Sequence, residues 1–209
     1  MTHNGDGLAD RPEDATFVPG VLAMADCFEA DSVNQRLIDL AVSYATALGT
    51  DATILDLRDL ELPTYEAGVS LEELPVGAHA FRQLLCAHDG FLIALPSENE
   101  KYPPLLLNAI AWSVCPVFGA RAIGAYSRKC ASLMSATGES KALDKRIDSV
   151  TETLTQLGVL VLPETLILSV DESSLVAGGL AGRQAWHELE AQIERFIGTV
   201  KWAQAQSAS

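Results

Sequence analysis

Short apolar runs alternate along the chain with longer stretches in which apolar residues recur every three or four positions. The runs predict strands at Val18–Ala25, Thr53–Leu57, Gly90–Leu95, Cys130–Ala136 and Val159–Leu162, the last with apolar residues enough to continue to Leu168. The periodic stretches predict helices at Ser32–Leu48, Val76–Ala87, Pro104–Ser113, Lys141–Leu157 and Arg183–Trp202. In the first helix the apolar face is Val33, Leu37, Leu40, Ala41, Tyr44 and Leu48, and Gly49 stops it. In Gly90–Leu95 the residues Phe91, Leu92, Ile93 and Leu95 do not alternate, which is the pattern of a strand covered on both faces. Strands alternating with helices predict an α/β fold, a doubly wound parallel sheet with right-handed crossovers and helices on both faces. Val114–Lys129 reads as irregular, and Gly178–Gly182 as a hinge before the last helix.

Composition narrows the picture. With 209 residues, 48% of them hydrophobic, the chain can bury one ordinary core, and residues 16–209 are read as a single domain. Residues 1–15 are polar, with Asn4, Gly5, Asp6, Gly7 and Pro12, and are read as a mobile tail. A net charge of -14, from 14 basic and 28 acidic residues, repels nucleic acid phosphates and anionic membranes, so neither is expected as a partner. The tail lacks the apolar core of a signal peptide, and no run approaches the roughly 20 apolar residues that span a bilayer, so a cytoplasmic protein is expected. Cys27, Cys86, Cys115 and Cys130 form no Cys-x-x-Cys pair, and His3, His79, His88 and His187 lack zinc-like spacing. They predict structural thiols and no metal centre.

The segment from Asp89 to Trp112 carries the chemistry: a buried strand, a polar turn, then a helix, the order in which an open α/β sheet builds a small-molecule site at its carboxyl edge. It resembles the NAD(P)H-dependent FMN reductases, whose usual form is a strand, then Pro-Glu-Tyr-Asn-Gly-Ser, then Pro-x-x-Leu-Lys-Asn-Ala-Ile-Asp-Trp. The chain keeps Pro96, Asn99, Pro103, Leu106, Asn108, Ala109, Ile110 and Trp112. Leu57–Tyr65 is similar to the family's Leu-Arg-Asp-Leu-x-Leu-Pro-x-Tyr, and Leu157–Pro163 to its Leu-Gly-Ala-x-Val-x-Pro. The resemblance implies a flavodoxin-like five-stranded sheet of order 2-1-3-4-5 over roughly residues 17 to 170. It also implies FMN and either NADPH or NADH as cofactors, and a homodimer or homotetramer.

Carried over position by position, the resemblance implies flavin contacts at Ser32 and Asn34 after the first strand, Pro96 and Asn99 after the third, and Thr137 and Gly138 after the fourth. In the first of these loops Asp26 stands where the family has glycine and Glu29 where it has arginine, and with Asp31 their charge is expected to leave phosphate binding weak or absent. A second use for these acids is to stabilise the helix start, with Asp31 or Ser32 as cap. Cys27 is read as an unreactive thiol, because nearby carboxylates raise its pKa and position 33 is valine rather than the arginine of a phosphatase loop. Lys101, Arg121, Arg128, Lys129 and Lys141 are placed near the same sheet edge, where they could form an anion site.

Three functions fit these residues. One is an oxidoreductase that passes hydride from NAD(P)H through FMN to an acceptor. Another is a non-catalytic flavodoxin-like protein that has lost FMN and binds another ligand or a protein partner. The last is a new enzyme using Asp26, Glu29, Glu98 and Glu100 around a divalent cation. Trp112, Phe118, Trp186, Phe196 and Trp202 offer apolar surface for self-association or, equally, core.

Overall fold

The computed structural model describes residues 17–27, 29, 32–96, 104–137, 143–169, 180 and 182–207. The predicted tail at 1–15 and the hinge at 178–182, apart from Leu180 and Gly182, lie outside that set. Strands β1 (Gly20–Ala25), β2 (Asp51–Asp56), β3 (Gly90–Ala94) and β4 (Cys130–Thr137) pair in parallel in the order β2-β1-β3-β4. Helices α1 (Val33–Ala47), α2 (Val76–Ala87), α3 (Pro104–Ser113), α4 (Leu143–Gln156) and α5 (Arg183–Ser207) cover both faces.

The expected fifth strand is split. β5 (Leu160–Val161) pairs with the start of β4, and β6 (Leu166–Ser169) pairs with its end. Pro163 lies in the gap, where a residue without an N–H cannot continue the ladder. The order 2-1-3-4-5 therefore holds with its last position filled by two short pieces.

Strand alternation divides the core. Val21, Ala23 and Ala25 of β1, Leu92 and Ala94 of β3, and Cys130, Met134 and Ala136 of β4 face α1 and α5. Leu22, Met24, Phe91, Ile93, Leu95, Ala131 and Leu133 face α2, α3 and α4. Both faces of β1 and β3 are buried, which is why these strands read as unbroken apolar runs. Gly90 is fixed by close packing, since a Cβ there would come within 2.8 Å of Phe196 and Val200 of α5.

The amino edge is locked by polar bonds. Asp89 Oδ2 accepts the N–H of Gly20 at 2.8 Å, His88 bridges Leu84 O and Thr53 Oγ1, and Lys129 Nζ donates to His88 O. Lys129 and Arg128 thus precede β4 and sit at the amino edge, which corrects their expected place near the ligand edge. In a parallel sheet the residues before a strand and those after it lie at opposite ends. No helix among the described residues is long and apolar enough to cross a membrane.

Candidate functional site

The carboxyl ends of β1 and β3 are adjacent, with Ala25 opposite Ala94, and chain connections leave them in opposite directions across the sheet. A crevice opens at such a switch point. Asp26 extends the pairing, its N–H donating to Ala94 O at 2.9 Å. Its side chain is only 1% exposed, and Oδ1 accepts the N–H of Leu106 at 3.2 Å. Leu106 is the third residue of α3, whose first N–H groups have no acceptor within the helix. Asp26 therefore caps α3 from a distant segment. Expected to confront a phosphate, this carboxylate is instead turned into the protein and offset by a helix N-terminus.

Ser32 is the N-cap of α1, with Oγ accepting the N–H of Gln35 at 3.0 Å. The helical ladder starts with Arg36 N–H to Ser32 O, so the N–H groups of Val33 and Asn34 stand at the open end of the helix. Asn34 is tied into the fold through its side-chain oxygen. It is 6% exposed, and its Oδ1 accepts the N–H of Ala136 at 2.8 Å, so it ties α1 to the end of β4 and does not present that oxygen to a ligand. Glu29 is exposed, and its carbonyl accepts from Ser32 N–H. Asp31 lies outside the described residues.

A residue read only as part of a fold motif enters the site from β2. Register places Asp56 beside Ala25, and just beyond it Arg58 donates Nε to Asp56 Oδ1 at 2.8 Å while its Nη2 contacts Asp56 Oδ2. The pair holds the Asp56 carboxyl below its ordinary pKa. Arg58 also acts on Cys27: burial raises the thiol, and the Ser32 hydroxyl and the Arg58 charge oppose that shift without reversing it. Cys27 is thus an unactivated thiol, as expected, and Arg58 a cation beside the β1–α1 loop. The strand order 2-1-3 was the signal for this, because it sets the loop after β2 next to the loop after β1.

Pro96 follows β3, and its carbonyl accepts from Nη1 of Arg146, a residue of α4 that is 2% exposed. Asn99 and Gly138 lie outside the described residues, as do Glu98, Glu100, Lys101 and Lys141. Thr137 ends β4 opposite Ser169, with its side chain outside the described part. Among the described residues no three His, Cys, Asp or Glu groups come together as a metal site.

Two sequence anchors meet beside the crevice. Asn108 Oδ1 accepts the N–H of Tyr65 at 2.8 Å, its Nδ2 donates to Pro63 O at 2.9 Å, and Trp112 Nε1 donates to the same carbonyl at 2.7 Å. The Tyr65 and Trp112 rings meet edge to face at 5.1 Å. These bonds hold the loop after β2 against α3. Trp112 and Phe196 are buried, so of the aromatic residues considered for self-association they belong to the core, while Trp202 is exposed.

The family profile of NADPH-dependent FMN reductase matches residues 19–172. The chain belongs to this family. Among solved structures it is similar to FerB, a flavoenzyme NAD(P)H:(acceptor) oxidoreductase from Paracoccus denitrificans. The identity is 17%, 89% of this chain and 99% of that one are covered, and the TM-score is 0.74. It is also similar to the apo form of an NADH:FMN oxidoreductase, at 14% identity over 86% and 88% of the two chains with a TM-score of 0.58. A flavodoxin from the domain Archaea aligns at 10% identity over 87% and 99%, with a TM-score of 0.53. At such identities the likeness carries the flavodoxin-like fold. No curated protein matches the chain.

Proposed function

We propose that the chain is an FMN-dependent oxidoreductase that draws hydride from NADPH or NADH and delivers it to an acceptor such as a quinone, a nitro or azo compound, or free flavin. The observation that carries this reading is the open, Ser32-capped start of α1 at the β1/β3 switch point, with the Asp26 charge committed to α3. These residues fit the phosphate end of FMN. The N–H groups of Val33 and Asn34 and the α1 dipole would hold the phosphate, with the Arg58 guanidinium, itself paired with Asp56, beside them. The Pro96–Asn99 and Thr137–Gly138 segments would take the ring. Bound FMN would supply the hydride chemistry, and the protein would orient it and exclude water. A cytoplasmic homodimer or homotetramer belongs to the same reading and is checked by light scattering.

The test is a titration of the purified full chain with FMN, followed by flavin fluorescence, with riboflavin as comparator. Saturable binding at micromolar FMN, tighter than for riboflavin, supports the proposal, and NADPH and NADH oxidation assays then name the nucleotide. Absence of binding at millimolar FMN sinks it and leaves the non-catalytic alternative.

A further inference from the structure

The amino edge of the sheet, at the opposite end from the β1–α1 loop, carries an open cleft of about 290 Å³ lined by Arg128, Lys129, Leu160, Trp202 and Gln206. Two large apolar side chains border it with unusual exposure, Trp202 at 59% and Leu160 at 48%. Scattered exposed apolar residues are ordinary, but an indole and a leucine around one recess beside two cations form a surface of mixed character suited to a ligand. Arg128 is also in the left-handed region, with φ 64°, where glycine is the unstrained choice. Strain held at a non-glycine residue is a mark of functional positions.

The two cations are not equivalent. Lys129 is buried, bonded to His88 O and under the influence of Asp89. Arg128 is exposed and makes no ion pair or hydrogen bond among the described residues, in a chain with a net charge of -14. We propose that this cleft binds a planar aromatic carboxylate, with its ring on Trp202 and Leu160 and its carboxylate on the Arg128 guanidinium. Gln206 supplies a further polar contact, and Lys129 adds to the local positive field. The volume sits at the lower end of small-molecule pockets, roughly 300 to 1,000 Å³, which suits one or two rings and not a dinucleotide. A carboxylate conjugated to its ring is coplanar with it, so one flat group can meet both the Trp202 indole and the planar Arg128 fork.

The experiment is calorimetric titration of the full chain with 2-naphthoate, with neutral 2-naphthol and 2-naphthyl phosphate as comparators, on the wild type and on Arg128→Gly and Trp202→Ala. Saturable 2-naphthoate binding is expected, roughly tenfold tighter than for neutral 2-naphthol, no weaker than for 2-naphthyl phosphate, and weakened about tenfold in each variant. Arg128→Gly should melt at or above the wild-type temperature, because glycine relieves the backbone, so its loss of binding reports the side chain and not misfolding. Added FMN should leave the titration unchanged. Absence of saturable binding at ~5 mM, unaltered binding in both variants, tighter binding of the phosphate, or displacement by FMN would each overturn the assignment.

Discussion

The carboxylate of Asp26 accepts the backbone N–H of Leu106 at 3.2 Å across 80 positions of sequence, so the loop after the first strand caps the helix after the third. Removing it leaves a helix N-terminus unpartnered in a buried setting. Asp26→Ala should cost about 1–3 kcal/mol of stability by urea unfolding. Asp26→Asn keeps the shape and should lose roughly 1 kcal/mol of stability, while FMN affinity stays within about twofold because the charge is turned toward α3. A several-fold gain in FMN affinity would show that this charge does reach the site.

Glu29 stands where the family places an arginine, and it is exposed at the open end of α1. Glu29→Arg should strengthen FMN binding about tenfold, equivalent to ~1.4 kcal/mol, with little change for riboflavin, which lacks the phosphate. Parallel fluorescence titrations of the two flavins give the comparison. Equal gains for both would mean that the phosphate is not near this residue.

Asn108 satisfies Tyr65 N–H and Pro63 O together. Asn108→Ala removes both bonds, and the expected loss is about 1–3 kcal/mol. Hydrogen exchange should show the increase in opening confined first to the segment around 61–75 and to α3. A uniform increase across the sheet would argue against a local tie.

Thiol behaviour separates the cysteines. Cys86 is exposed, Cys27 half-buried with a pKa raised by burial, and Cys115 and Cys130 buried, with Cys130 pushed up to about 11. A thiol reagent at pH 8 should modify Cys86 first, Cys27 slowly, and the other two only on unfolding. The folded state holds the Cys130 proton more tightly than the unfolded chain does. Its contribution is therefore complete below the ordinary value of 9.0 and is lost as pH rises toward about 11. Urea midpoints at pH 8 and pH 10.5 should fall less in Cys130→Ala than in the wild type, and equal falls would remove Cys130 as a cause.

The element pattern was legible because strands and helices declare themselves locally. α2 and α3 occupy the expected spans, β1 and β3 are shorter by one or two residues at one end, and α1 is shorter by one residue at each end. The Asn108–Trp112 and Pro63–Tyr65 motifs were visible as separate anchors, but their mutual hydrogen bonding joins residues more than 40 positions apart. Asn34 has a role hidden for a similar reason: its place in a loop-to-helix motif says nothing of the β4 end, whose proximity makes Asn34 Oδ1 a backbone tie.

By itself the sequence determined the α/β class, the parallel sheet and the family, since apolar period, turn residues and motif spacing are properties of neighbouring positions. Only the tertiary structure decided where each charge went. It turned Asp26 toward α3, brought Arg58 beside the first loop, and carried Arg128 and Lys129 to the far edge. The physical reason is that a charge is settled by whichever donor, helix end or solvent the folded chain brings within a few ångströms, and those partners are distant in sequence.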